Sequence, residues 1–210
     1  MKILIGLKLI LLAIVGSANT LALTGNTEAG QASYAVCIVC HGERGEGNPA
    51  QRGPALAGQD EMYLARQLKH FKNGIRGGQA SDTFGGQMRA MASTLADDQA
   101  IADVAAYITA MATTVAVGTA TGDVSKGAYI YQGSCQPCHM AAGEGKPAVS
   151  APRLAGLGSV YLIRQLTSFK AGLRGRHAED VYGRQMREMA KAIRSGEDVA
   201  NLAAYIHSLR

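Results

Sequence analysis

The sequence of 210 residues contains no tryptophan, and aromatic side chains make up only 5% of it. Small domains usually need large rings to fill a core, so this shortage points to some other bulky group inside the fold. Four cysteines are too few, at this length, for a disulfide-dense scaffold. Charged residues account for 18% and hydrophobic residues for 47%, which excludes a disordered chain.

The sequence also lacks a hydrophobic run long enough to cross a bilayer. Its apolar N-terminal stretch runs from Ile3 to Val15 and is interrupted by a glycine and a lysine, whereas a spanning helix needs about 20 apolar residues. A basic start, a short apolar stretch and a small-residue exit are typical of a secretory signal peptide. We therefore predict a signal peptide over 1–22, cleaved after Ala18 or Ala22, rather than a membrane anchor, and a mature protein in the periplasm.

The rest of the chain is one unit written twice, and from Cys37 to the end the two copies align at an offset of 98 residues without a gap. The repeated positions include Cys37/Cys135, Cys40/Cys138, His41/His139, Pro54/Pro152, Tyr63/Tyr161, Gln67/Gln165, Phe71/Phe169, Arg76/Arg174, Met88/Met186, Met91/Met189 and Tyr107/Tyr205. We predict two homologous domains, 23–112 and 124–210. The stretch 113–123 between them is rich in Thr, Gly and Ala and is predicted to be a linker.

Apolar residues recur in each unit at helical spacing, and no alternating strand pattern appears. One helix is indicated by Leu64, Leu68, Phe71 and Ile75, ending near Gly74 or Gly77, and a last helix by Ile101, Val104, Ala105 and Ile108; both patterns recur in the second unit. Asp97 in the first unit, and Ser195 with Asp198 in the second, are suitable N-caps for the last helix. The predicted fold class is all-α.

The four cysteines occur in two C-x-x-C-H pentapeptides, 37–41 and 135–139, which are the attachment signature of c-type haem. Residues three apart lie on one face of a helix, so both sulfurs of a pair can reach one porphyrin while the next residue, a histidine, points at the iron. Cys37 and Cys40, and likewise Cys135 and Cys138, are therefore predicted to tether one haem c each, giving two covalently bound haems.

Two other interpretations of the cysteine pairs fit less well. A thioredoxin-like redox pair is expected in a βαβ context, which is missing here. A zinc site made from two cysteine pairs usually places them about 15–20 residues apart, whereas these lie 98 apart and each carries a histidine.

The axial ligands follow in part from the repeat. His41 and His139 are the predicted proximal ligands. The sixth ligand is open between methionine, histidine and a vacant position. Methionine is favoured, because the other three histidines have no histidine at the matching position, whereas each unit retains a methionine pair: Met88 and Met91 in the first, Met186 and Met189 in the second. A methionine can equally be a core filler.

The doubled motif string resembles the dihaem cytochrome c4 family over essentially the whole chain after the predicted signal peptide. The matching segments are 35–42 (AVCIVCHG), 54–59 (PALAGQ), 63–68 (YLARQL), 71–74 (FKNG) and 101–107 (IADVAAY). The resemblance implies two class I cytochrome c domains packed face to face. It also implies that the ligands lie seven residues before Leu95 and Ile193, at Met88 and Met186, with Met91 and Met189 as runners-up.

The resemblance further implies that the carbonyls of Pro54 and Pro152 accept a hydrogen bond from the proximal histidines. Tyr34 and Tyr131 resemble first-helix residues that pack on the last helix. The arginines Arg66, Arg76, Arg164 and Arg174 recur in both halves, and they are expected either to neutralise propionates, to lie on the inter-domain face, or to form a solvated helix face.

A haem held by His and Met has no free coordination position, so the expected role is electron transfer rather than catalysis. We expect a respiratory electron carrier. Its electron donor is expected to be a quinol-oxidising complex or a dehydrogenase, and its acceptor a terminal oxidase. Peripheral association with the membrane is compatible with this role. The alternatives are an electron-accepting subunit of a membrane or flavin dehydrogenase and, less favoured, a dihaem enzyme such as a peroxidase. No small-molecule substrate is expected.

The net charge identifies no acidic partner. The formal charge is +5, and loss of Lys2 and Lys8 with the signal peptide lowers it to +3. Four ionised propionates bring it near −1. Nucleic-acid binding is excluded, because the sequence has no basic stripe interleaved with aromatic residues.

Overall fold

The computed structural model describes residues 23–115 and 119–209. Within these ranges the regular structure is helical, apart from two isolated β-bridges, Asn48 with Gly53 and Lys146 with Ala151. The all-α prediction is therefore confirmed. The predicted signal peptide, 1–22, lies outside the described residues, and the described part of 113–123 contains no helix.

Each domain has five helices in the same order. In the first domain they are α1 (Thr27–Tyr34), α2 (Ile38–His41), α3 (Glu61–Lys72), α4 (Thr83–Ala92) and α5 (Asp98–Thr109). In the second domain they are α6 (Val124–Ser134), α7 (Gln136–His139), α8 (Ser159–Lys170), α9 (Val181–Ala190) and α10 (Gly196–Ser208), with a 3₁₀ turn at Pro147–Val149. None of these helices is long and apolar enough to span a membrane.

The helix ends follow local sequence signals. Helix α3 begins after Asp60, whose side chain accepts the amide of Tyr63, and it ends where Gly74 takes a φ of 72° that favours glycine. Helix α5 is capped by Asp97, and α10 begins with a complete capping box of Ser195 and Asp198. The predicted end of α3 near Gly74 and the predicted starts of α5 and α10 are thus confirmed, although Ile75, which the apolar pattern assigned to α3, lies beyond its last residue.

The core of each domain is centred on the crossing of its first and last helices. Gly127 of α6 lies so close to α10 that an added Cβ would be 2.0 Å from the carbonyl oxygen of Asn201. One turn later Tyr131 is fully buried, and its ring lies 5.2 Å from that of Tyr205. In the first domain, the Tyr34 and Tyr107 rings are 5.5 Å apart. The expected packing of the first helix on the last is confirmed.

Candidate haem sites and the surface between the domains

The attachment cysteines lie at the start of a short helix in each domain. Cys37 is the N-cap of α2 and Cys40 lies within it, and Cys135 and Cys138 occupy the same positions at α7. All four are free thiols. Burial, followed by the neighbouring cysteine, raises the pKa of Cys37 and of Cys135 to about 11. A redox-active dithiol needs a lowered thiol pKa, so this environment is the opposite of that in a thioredoxin-like site.

The cysteines also do not assemble a zinc site. Each pair belongs to its own domain, and among residues 23–115 and 119–209 no group of three or more His, Cys, Asp or Glu side chains is placed to hold a metal ion. Their placement at the start of one short helix in each domain fits the predicted thioether role of all four sulfurs.

The two proximal histidines are buried and held in one orientation. His41 is 5% exposed and His139 is 4% exposed. The Nδ1 of His41 donates to the carbonyl of Pro54 at 2.9 Å, and that of His139 donates to the carbonyl of Pro152 at 3.0 Å. This hydrogen bond fixes the tautomer in which Nε2 carries the lone pair for a metal. Burial lowers the pKa of both rings, against the proline carbonyls, which raise it. Both effects favour a neutral, oriented imidazole.

A buried tyrosine holds the backbone directly after each histidine. The hydroxyl of Tyr34 donates to the carbonyl of Gly42 at 2.9 Å, and that of Tyr131 donates to the carbonyl of Met140 at 2.7 Å. These carbonyls belong to residues with φ of 80° and 66°, where the chain leaves the short helix in a left-handed turn. The first helix of each domain therefore positions the proximal histidine as well as filling the core.

The predicted sixth ligands lie on helices that the sequence periodicity did not reveal. Helix α4 is capped by Asp82 and α9 by Asp180, each through its carboxylate. Met88 and Met186 are half-buried on these helices. The runners-up are more open, since Met91 is 39% exposed and Met189 is 46% exposed. Burial thus favours Met88 and Met186, and both remain predictions.

Two buried arginines meet where the domains face each other. Arg76 is 8% and Arg174 is 9% exposed. The Nη1 and Nη2 of Arg76 donate to the amide oxygens of Gln67 and Gln165 at 2.7 and 2.8 Å. Those of Arg174 donate to Gln165 at 2.7 Å and to Gln67 at 3.0 Å. The expectation of a solvated helix face is wrong for these two arginines, because they lie buried between the domains.

The charge balance of the two buried arginines bears on whether the chain can hold two haems. Two guanidinium charges are buried side by side, and their hydrogen-bond partners are neutral amides and a tyrosine hydroxyl, while the Nε of Arg174 has no partner. The buried carboxylate of Asp180 acts on Arg174 without a hydrogen bond to it. Buried charges normally require an opposite charge. Asp180 supplies one negative charge near Arg174, and haem propionates would supply the rest. The buried arginines, the oriented histidines and the four cysteines outside any disulfide therefore all fit haem c.

The other two repeated arginines reach across to the opposite domain. Arg66 donates to the carbonyl of Ser150 at 3.0 Å and stacks on Tyr182 at 4.6 Å. Arg164 donates to the carbonyl of Arg52 at 2.9 Å and stacks on Phe84 at 4.3 Å. These paired contacts fix the two domains face to face.

One inter-domain contact breaks the repeat. The Nδ1 of His70 lies 3.6 Å from the carboxylate of Asp180, within ion-pair distance but too far for a hydrogen bond, and the second domain has Ser168 in place of His70. Burial lowers the pKa of His70, as do the charges of Arg66, Arg76 and Arg174, while Asp180 raises it.

This contact predicts a pH-dependent stability. Because the folded-state pKa of His70 lies below its unfolded value of about 6.5, neutral His70 stabilises the fold above that pH, and this contribution is lost as pH falls through the folded pKa. We expect the free energy of unfolding of the holoprotein to fall less between about pH 7 and pH 5 in His70→Ser than in wild type. Denaturant titrations over this range measure it, with His177→Ser as the exposed control; equal slopes in wild type and His70→Ser contradict the assignment.

Comparison with known proteins identifies the family to which the chain belongs. The family model for cytochrome c matches twice, at residues 27–112 and 124–210. Cytochrome c4 of Azotobacter vinelandii is 36% identical over 212 residues, covering 96% of each chain. The chain belongs to the cytochrome c4 family. Cytochrome c4 of Stutzerimonas stutzeri is 34% identical over 99% of each chain.

The solved structures agree on the fold. Reduced recombinant cytochrome c4 from Pseudomonas stutzeri superposes with a TM-score of 0.73 at 33% identity, covering 89% of this chain and all of that one. Like other members of its family, the protein is a dihaem electron-transfer protein, with one covalently attached haem c in each of two domains. The predicted family, fold and cofactors are therefore confirmed.

Sequence reasoning missed part of the site. It identified the arginines but not their partners Gln67 and Gln165, although the same repeat contains them. It also missed the inter-domain contact of His70 with Asp180, because neither residue belongs to a sequence pattern that would indicate the contact. The matching glutamines were a usable signal, since polar residues repeated beside repeated arginines are natural hydrogen-bond partners.

Proposed function

We propose that the protein is a periplasmic electron carrier that passes electrons to a terminal oxidase, and that His41 with Met88 and His139 with Met186 are the axial ligands. The observation that carries the proposal is a buried histidine, repeated in both domains, whose Nδ1 is held by a proline carbonyl, together with a half-buried methionine on a later helix of the same domain. Ligation on both sides leaves no open coordination position. This supports a carrier rather than an enzyme.

The protein's part in electron transfer is to hold each haem in a fixed position and to shield it from solvent. The haem iron supplies the one-electron chemistry when bound, and a His/Met ligand pair raises its reduction potential. Tyr34 and Tyr131 fix the chain after each proximal histidine, and Pro54 and Pro152 hold the ring orientation. A ligand set that barely moves favours fast electron exchange because little reorganisation accompanies the change of charge.

A second candidate is the electron acceptor of a dehydrogenase. A protein of Thiomonas intermedia named thiosulfate dehydrogenase electron acceptor is 34% identical over 148 residues, covering 67% of this chain and 65% of its own. The thiosulfate dehydrogenase of Marichromatium purpuratum superposes with a TM-score of 0.67 at 26% identity over 40% of its chain. Both functions use the same ligands and differ in the partner.

Oxidation by respiratory membranes separates the two candidates. We expect the reduced protein to be oxidised by oxidase-containing membranes in a cyanide-sensitive reaction, with a second-order rate constant of about 10⁵ M⁻¹ s⁻¹ or more. The protein is taken from a periplasmic extract, where its mass should show a chain starting at Asn19 or Leu23. The matched arm measures reduction of the oxidised protein by purified thiosulfate dehydrogenase with thiosulfate. Fast reduction there without oxidation by membranes overturns the carrier proposal in favour of the second candidate.

A further inference from the structure

The two domains carry opposite charge. Residues 23–112 contain seven lysines and arginines against nine acidic residues, a net −2, whereas residues 124–210 contain twelve against six, a net +6. The small net charge of the whole chain therefore hides a strong separation. One segment accounts for three of the eight charges that separate the two domains: 171–195 has six basic and three acidic residues, while the matching 73–97 has two of each.

A compact part of this positive charge lies around helix α9. Arg184, Arg187 and Lys191 are spaced i, i+3 and i+7, which places them on one face of the helix and its C-cap. Arg176 follows Gly175, whose backbone abuts the amide of Arg184. Arg176, Arg184 and Lys191 are exposed and Arg187 is half-buried over Gly172. We call these four residues the basic face.

The basic face is largely without counter-ions. Lys191 pairs with Glu188 at 2.5 Å, and no carboxylate in the described part of the chain lies within ion-pair distance of the other three. The first domain offers a built-in comparison. Its equivalent positions are Gly78, Gly86, Arg89 and Ser93, which line a groove whose charged residues are Asp82 and Arg89, one of each sign. Although the two domains share one fold, only the second domain carries this cluster of positive charge.

The basic face also lies close to the second haem site and away from the first domain. Met186 belongs to the same helix, so the basic face is within about one helix diameter, 10–12 Å, of the proposed ligand. Tyr182 lies on the opposite side of α9, where Arg66 of the first domain stacks on it. The basic face is therefore turned outward, where a partner can approach the haem of the second domain.

We propose that the basic face of the second domain is the docking surface for an acidic redox protein that exchanges electrons with the haem of that domain. This rests on the electron-transfer function proposed above and names the partner's chemistry. Complementary charge accelerates encounter without requiring tight binding, which suits a carrier that must leave after each electron. An anionic bilayer fits less well. The exposed apolar side chains Tyr182 and Met189 lie on the other side of α9, so the basic face has no apolar surface to insert.

The test compares two triple variants of the full-length holoprotein with equal net charge. One is Arg176→Gln/Arg184→Gln/Lys191→Gln; the other, Lys69→Gln/Lys126→Gln/Lys146→Gln, removes exposed charges elsewhere. Stopped-flow reduction by flavodoxin hydroquinone, a small acidic flavoprotein, is measured at about 10 mM ionic strength. We expect the first triple to lower the second-order rate constant about tenfold, the control to lower it less than about twofold, and the difference to vanish at about 0.5 M salt.

Equal losses in both triples, or no loss in the first, overturn the proposal. So does co-sedimentation of the wild type with phosphatidylglycerol vesicles at about 0.15 M salt that the first triple abolishes, because the membrane is then the occupant. Reduction by neutral hydroquinone and the two midpoint potentials serve as a separate arm. If wild type and both triples behave alike there, electron transfer itself is intact and only the docking assignment is under test; failure of that arm in the wild type counts against the carrier function.

Discussion

Met88→Ala is expected to remove about half of the weak long-wavelength absorption band of the ferric protein, because one of two Met-ligated haems loses its sulfur ligand. The reduction potential of that haem should fall by a sizeable part of the roughly 0.8 V range that axial ligands span. The thioether stabilises ferrous over ferric iron, and water or hydroxide in its place does not. Visible spectroscopy with a redox titration measures both effects.

Met91→Ala is the matched control, because it removes the same side chain three residues further along the same helix. Met91 is 39% exposed, whereas Met88 is half-buried, so Met91→Ala should leave the band and both potentials close to wild type. The pair Met186→Ala and Met189→Ala repeats the comparison for the other haem. If Met91→Ala loses the band and Met88→Ala keeps it, the ligand assignment in the first domain is wrong.

The same comparison shows which features of the site were predictable from the sequence. The haem attachment segments are local, since five consecutive residues supply both sulfurs and the proximal histidine. The last helices were also predictable from local sequence, because Asp97 in one unit and Ser195 with Asp198 in the other mark the start of a helical apolar pattern. The 98-residue repeat then doubled each signal and separated repeated functional residues from single ones.

The remaining features depend on contacts that no local pattern encodes. Helix α4 reads TFGGQMRAMA, with two glycines and little apolar periodicity, so its helical structure depends on the cap from Asp82 and on packing against α3. The buried arginine pair needs both domains, because each arginine bonds a glutamine of the other unit. The basic face was not visible in the repeat, because it consists of residues at which the two halves of the sequence differ. Finding it requires a comparison of the charges of the two domains.

Gly127→Ala is expected to destabilise the second domain by about 1–3 kcal/mol or more. An added Cβ would lie 2.0 Å from the carbonyl oxygen of Asn201 and 2.8 Å from the Cβ of Tyr205. The nearest of these atoms is backbone of α10, so relief requires the two helices to move apart. That movement would also displace Tyr131, whose hydroxyl holds the carbonyl of Met140 directly after the proximal histidine. The damage should therefore reach the haem.

Gly133→Ala on the same helix is the control that isolates the crossing from helix propensity. Nothing lies within 4 Å of a Cβ at Gly133. Alanine is the better helix former, so this variant should be unchanged or more stable by up to about 1 kcal/mol. Guanidinium titrations of the holoprotein, followed by far-ultraviolet circular dichroism and by the Soret band, measure both variants. Equal stability of the two variants would contradict the close approach of α6 and α10, and with it the argument that this helix crossing positions the proximal histidine.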